Sequence, residues 1–124
     1  MRRIRSKNTA PELAVRKLLR ELGYTGYRIH RKDLPGKPDI VFIGKRKVIL
    51  VHGCFWHGHS CEEGARRPKS NEGYWSAKIE GNRLRDLAHA EKLDVLGWSV
   101  LTLWECELRD RATLIARMAA FMNG

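Results

Sequence analysis

The 124-residue sequence predicts an α/β fold: a single domain over residues 1–124, with a central mixed β-sheet flanked by helices. Three observations predict it. Apolar residues recur at helical spacing near both ends of the chain, β-branched runs such as "DIVFI" and "KVILV" lie between them, and the length suits one core.

The elements follow in the order α-β-β-β-α-β-α, with no internal repeat, linker or low-complexity segment. "NTAPELAVRKLLRELGY" opens with Thr9 three residues before Glu12, the spacing of a capping box, with Pro11 in the first turn. Val15, Leu18, Leu19 and Leu22 then form one apolar face, and Gly23 suits the helix stop. "GYRIHR" alternates Tyr27 and Ile29 with polar residues and reads as a strand. "DLPGKPD" breaks the chain, because Pro35 and Pro38 disfavour helix before them. "DIVFI" and "KVILV" flank a "GKRK" turn and predict a hairpin. Residues 54–73 read as a long irregular loop, a length that usually carries function or a metal staple. Residues 74–96 are mostly helical, with Gly81 as a break point and Gly97 as the stop; "WSVLTLW" is a strand. "DRATLIARMAAFM" is an amphipathic helix with Asp110 as its N-cap.

Lys plus Arg number 24 against 14 Asp plus Glu, a formal charge of +10. That balance points to a polyanionic partner, above all nucleic acid. The sequence has no run of about 18 apolar residues that could span a membrane, and "MRRIRSKNTAPE" lacks the apolar stretch of a secretory signal. Three cysteines do not suit a secreted disulfide framework. The expected location is the cytoplasm, and the expected use of the thiols is metal binding.

"HGCFWHGHSC", residues 52–61, concentrates the chemistry. Cys54, His59, Cys61 and Cys106 can make a closed Cys₃His set, the kind that holds a structural zinc. Cys106 follows the last strand and would close the site from the neighbouring element. Spacing leaves two matters open: His57 competes with His59 for the fourth place, and Cys106 also suits a small buried hydrophobe.

Asp39 starts a strand, and the hairpin return brings residues 51 and 52 beside it. On a basic protein such a carboxylate suits a Mg²⁺ ligand for phosphodiester chemistry, and equally well a turn-closing Asp. Glu12 is already accounted for by the capping box, and Asp86 in "RLRDLAH" has Arg83 and Arg85 as partners on a solvated helix. His89 and His30 read as surface residues, and Trp98 and Trp104 as core.

The segments "RSKNTAPELAVRKLLRELG", "LPGKPDIVF", "VHGCFWHGHSC", "YWSAKIEGNRLRD" and "LGWSVLTLWECELR" cover almost the whole chain in order. Together they closely resemble the very-short-patch repair (Vsr) endonucleases, whose fold is similar to that of the type II restriction endonucleases. The resemblance implies a magnesium-dependent enzyme that nicks one DNA strand at T·G mismatches, 5′ of the mismatched T. It implies Asp39 and the Val51 main-chain carbonyl as magnesium ligands, since the stretch Val51-His52-Gly53 offers neither a second carboxylate nor a lysine. His52 and His57 match the family's catalytic histidines, with His57 activating water and Asp86 orienting it. Glu12 matches an active-site acid, so it would serve both cap and site.

By the same resemblance Cys54, His59, Cys61 and Cys106 are the zinc ligands, which assigns His59 rather than His57. Phe55, Trp56 and Trp75 match aromatics that wedge into DNA beside the mismatch; a mismatched step costs least to unstack. The implied protein is a bacterial, nucleoid-associated monomer with a functional link to a cytosine-5 DNA methyltransferase. Gly58 and Ser60 stand where family members can carry histidines, and those members usually have a short further segment before "MRRIRSKN". Three rivals remain: a restriction-endonuclease-like nuclease with another DNA target, a non-catalytic zinc-stapled DNA-binding module, and a zinc-dependent hydrolase.

Overall fold

The structure is a computed structural model in which residues 10–29, 31, 33–36, 38–53 and 72–123 are described. Its elements are α1 (Ala10–Glu21), β1 (Arg28–Ile29), β2 (Ile40–Phe42), β3 (Lys47–His52), α2 (Glu72–Val95), β4 (Ser99–Trp104), a 3₁₀ helix (Glu105–Arg109) and α3 (Arg111–Asn123). The order matches the sequence reading. The sheet is mixed, as expected: β1, β2 and β3 run antiparallel, and β4 joins β3 in parallel, giving the order β1-β2-β3-β4.

Alternation along the strands assigns each residue to a face. Ile40 and Phe42, Ile49, and Leu101 and Leu103 share one face, where they bury Val15, Leu18 and Leu19 of α1 and Leu114, Met118 and Met122 of α3. Val41 and Val48 point the other way and pack with Leu93 of α2, supported by Leu34, Trp98 and Val100. The result is an α/β/α sandwich: the parallel pair β3–β4 needs a crossover, and α2 supplies it.

Helix ends follow local chemistry. Gly23 and Gly97 have φ of 87° and 88°, a region where only glycine avoids a steric cost. Tyr24 N donates to Leu19 O and Trp98 N to Leu93 O, both at 2.9 Å, so α1 and α2 end in the same left-handed cap. Asp110 caps α3 as predicted: its carboxylate accepts the N–H and the hydroxyl of Thr113 at 3.2 and 2.7 Å. At the other end of α3, buried Lys47 donates to the carbonyls of Phe121 and Met122. The capping partner expected for α1, Thr9, lies outside the described residues.

The β2–β3 turn is tied to the end of α2. Arg46, at φ 53°, donates its guanidinium to the carbonyls of Leu96 and Gly97 and lies over the Trp98 ring at 4.9 Å, while Ser99 N donates to Arg46 O. That clamp fixes where α2 hands the chain to β4.

Two local expectations are corrected. Gly81 does not break the long helix, which runs uninterrupted from Glu72 to Val95; one glycine costs only about 1 kcal/mol against alanine, less than the packing of Ile79 and Leu93 recovers. The "GYRIHR" strand shrinks to Arg28–Ile29. No helix among the described residues is long and apolar enough to cross a membrane.

Candidate active site

The C-terminal end of β3 gathers most of the described polar candidates. Asp39 precedes β2, and the antiparallel register that pairs Ile40 with Ile49 carries its side chain to the end of β3. There Asp39 Oδ2 accepts the main-chain N–H of Val51 at 2.7 Å. The turn-closing alternative, an Asp bonded to its own turn, is not what this bond does; it reaches across to the neighbouring strand.

His52 is the next residue. It is buried, 9 % exposed, and its parity with Val48 turns it towards α2. Asp86 of α2 meets it, with Oδ2 4.0 Å from His52 Nδ1. The arginines expected to take Asp86 bond elsewhere: Arg83 donates to Glu80 and Arg85 to Asn82. Asp86 was expected to orient His57; it lies against His52, while His57 is outside the described residues.

Trp104, expected in the core, is half-buried and packs edge-on against His52, with ring centroids 5.1 Å apart at 76°. The parallel register places these two residues opposite each other at the ends of β3 and β4. His89, expected at the surface, is half-buried: a Cβ on Gly36 would lie 2.9 Å from its Cβ, so the "DLPGKPD" turn rests on α2 there. Glu12 is 4 % exposed in the first turn of α1, the helix that packs on the opposite face of the sheet from α2.

Cys106 is half-buried in the 3₁₀ helix, two residues beyond Trp104, at the same end of the sheet where the chain leaves β3 through Gly53. Cys54, His59 and Cys61, the other expected zinc ligands, and the expected wedges Phe55 and Trp56, lie outside the described residues. Trp75 is half-buried in the first turn of α2, edge-on to the exposed Tyr74 at 5.3 Å.

The family profile described as DNA mismatch endonuclease Vsr matches residues 1–63. Over 114 residues the chain is 41 % identical to the DNA mismatch endonuclease Vsr of Escherichia coli, covering 92 % of this chain and 72 % of that protein. The chain belongs to the Vsr family of DNA mismatch endonucleases. Similarity extends to enzymes named type II nicking enzymes. V.XorIIP of Xanthomonas oryzae is 56 % identical over 123 residues, 99 % of this chain and 89 % of that one. V.NmeAIP of Neisseria meningitidis is 44 % identical over 118 residues, 95 % and 83 % of the two chains.

Within this Vsr-family chain, three residues near the site escaped sequence reasoning. Glu107 Oε1 accepts the main-chain N–H of Trp104 at 2.8 Å, and Arg117 of α3 pairs with Glu107 and donates to Thr102 O at 3.2 Å. Trp104 itself reads as one more apolar strand residue. The signal that existed was Glu107 three positions after Trp104, capping-box spacing at a strand-to-helix exit.

Proposed function

We propose that this chain is a magnesium-dependent endonuclease that nicks one strand of a DNA duplex at a T·G mismatch, 5′ of the mismatched T. The observation that carries the reading is the junction of Asp39, Val51 and His52: a carboxylate held on the strand end by the Val51 N–H, with an imidazole on the next residue. Family membership supplies the endonuclease class, and the +10 charge suits the phosphate backbone.

The residues present fit a magnesium ion. The N–H and C=O of one strand residue leave the same side of the strand. The Val51 carbonyl therefore opens towards the side from which Asp39 approaches, and both offer the hard oxygen that magnesium prefers. Asp39 and Val51 would hold the ion, which when bound supplies the positive charge that stabilises the phosphate during in-line displacement. His57 would take a proton from the attacking water, and His52, oriented by Asp86, would hydrogen-bond the scissile phosphate. The new P–O bond comes from water, the P–O3′ bond breaks, and O3′ takes a proton, leaving a 3′-hydroxyl and a 5′-phosphate. Glu12 would complete the acidic side of the site from α1.

Cys54, His59, Cys61 and Cys106 would hold a structural zinc, a closed set of soft ligands with no position left for substrate. Phe55, Trp56 and Trp75 would wedge beside the mismatch. Deamination of 5-methylcytosine leaves thymine opposite guanine, which is the chemical reason to link such an enzyme to a cytosine-5 DNA methyltransferase. One site per chain and an asymmetric mismatch suit action as a monomer.

The test is nicking of matched and mismatched duplexes with and without Mg²⁺. Single-strand cleavage confined to the T·G duplex, and dependent on Mg²⁺, is expected. Equal cleavage of matched DNA would favour a nuclease with another target, and no cleavage would favour a binding module.

A further inference from the structure

Among the described strands β4 is the edge of the sheet, with β3 on one side only. Thr102 and Trp104 are two residues apart, so the Thr102 carbonyl and the Trp104 N–H point off the same side of the strand. Both are taken by side chains. Arg117 Nη2 donates to Thr102 O at 3.2 Å, Glu107 Oε1 accepts Trp104 N–H at 2.8 Å, and Glu107 Oε2 pairs with Arg117 Nη1. One joined guanidinium and carboxylate thus stand where a fifth strand would donate and accept. A guanidinium suits this place, because its rigid planar fork presents two N–H groups in fixed directions, one to the carbonyl and one to the carboxylate.

The clamp sits at the end of β4 that carries Trp104, whose ring rests on His52 at 5.1 Å. We propose that Glu107 and Arg117 are positioning residues that act through Trp104 to set the orientation of the His52 imidazole. This rests on the reading of His52 as an active-site group. Asp86 reaches His52 from α2 on one face of the sheet, and the clamp reaches the end of β4 from α3, which packs on the other. The imidazole therefore meets the Asp86 carboxylate at 4.0 Å and the Trp104 ring edge-on. The clamp side chains are 37 % and 21 % exposed. Removing either side chain also leaves a part-buried main-chain group of Thr102 or Trp104 without this partner, which lowers stability, so melting is read separately from site geometry.

The test uses Glu107→Ala and Arg117→Ala in the full chain, alone and combined with Trp104→Leu. Three readouts are needed: nicking kcat and KM on a T·G duplex, the melting temperature, and the His52 ring-proton NMR signal, which the Trp104 ring current displaces. Each clamp variant is expected to lower kcat by up to about 100-fold, the cost of a misplacement near 1 Å, with KM unchanged. Each should also move the His52 signal towards its position in Trp104→Leu, and in the Trp104→Leu background the loss of kcat should vanish. Arg117→Lys, which folds more safely, should shift the signal the same way by less. An unmoved His52 signal, or a kcat loss that persists undiminished without Trp104, overturns the proposal. If the wild-type chain does not nick and the His52 signal moves as described, the proposed function falls and the positioning stands.

Discussion

Asp39 Oδ2 lies 2.7 Å from the main-chain nitrogen of Val51, joining the start of β2 to the end of β3. The bond holds a carboxylate beside a main-chain carbonyl and one residue from a buried histidine. Asp39→Ala leaves the Val51 N–H without this acceptor, which for a part-buried donor costs about 1–3 kcal/mol. A lower melting temperature is expected, measured by differential scanning calorimetry. An unchanged melt would mean that water replaces the carboxylate without cost.

Asp86 faces His52 at 4.0 Å and not the arginines on its own helix. Asp86→Asn should therefore reduce nicking by about 10–100-fold, as loss of an orienting carboxylate behind a working histidine does. Arg83→Ala and Arg85→Ala should leave the pairing of Asp86 with His52 intact. Single-turnover rates of the three variants check this; equal losses in all three would place Asp86 in a surface charge network.

Acid should weaken the fold at identifiable carboxylates. The Arg111 hydrogen bond holds Glu21 below its usual 4.5, and hydrogen bonds from Thr113 hold Asp110 below its usual 3.8. A carboxylate with a depressed folded value stabilises the fold above its ordinary value and loses that contribution as pH falls through the folded one. Melting temperature should drop as pH falls below about 4.5, and Arg111→Ala should flatten the part of that drop due to Glu21. Melts at stepped pH measure it, and salt should reduce the Glu21 part because the pair is exposed.

Lys47 is buried and donates to the last carbonyls of α3, Phe121 and Met122. Lys47→Met keeps the length of the side chain and removes the donor. Stability should fall by about 1–3 kcal/mol, read by urea unfolding, with protection of α3 amides from hydrogen exchange falling as well.

Much of the fold was legible because its signals are local. The period of Val15, Leu18, Leu19 and Leu22, the "DIVFI" and "KVILV" runs, and Asp110 three residues before Thr113 each act within one or two turns. The parallel placement of β4 beside β3 is not local, yet a long helix between two strands implies a crossover. What stayed hidden depends on partners distant in sequence. Asp86 turns to His52 only because α2 crosses that face of the sheet. Trp104 leaves the core only because β4 ends level with His52. Gly81 read as a break because propensity carries no record of the packing by Ile79 and Leu93 around it. In the site, the hairpin signal placed Asp39 beside residues 51 and 52, as found, while the clamp of Glu107 and Arg117 acts through main-chain atoms, which no side-chain motif encodes.

If Asp39 anchors metal-dependent nicking at a mismatch, as proposed, its replacement removes the reaction and not the fold. The most direct measurement is the single-turnover nicking rate of a T·G duplex by wild type and Asp39→Asn across a Mg²⁺ titration, with folding of both monitored by circular dichroism. Saturable Mg²⁺ dependence is expected in the wild type, together with a folded Asp39→Asn variant that does not nick at any Mg²⁺ concentration. A folded Asp39→Asn variant that nicks at the wild-type rate would contradict the proposed role of Asp39.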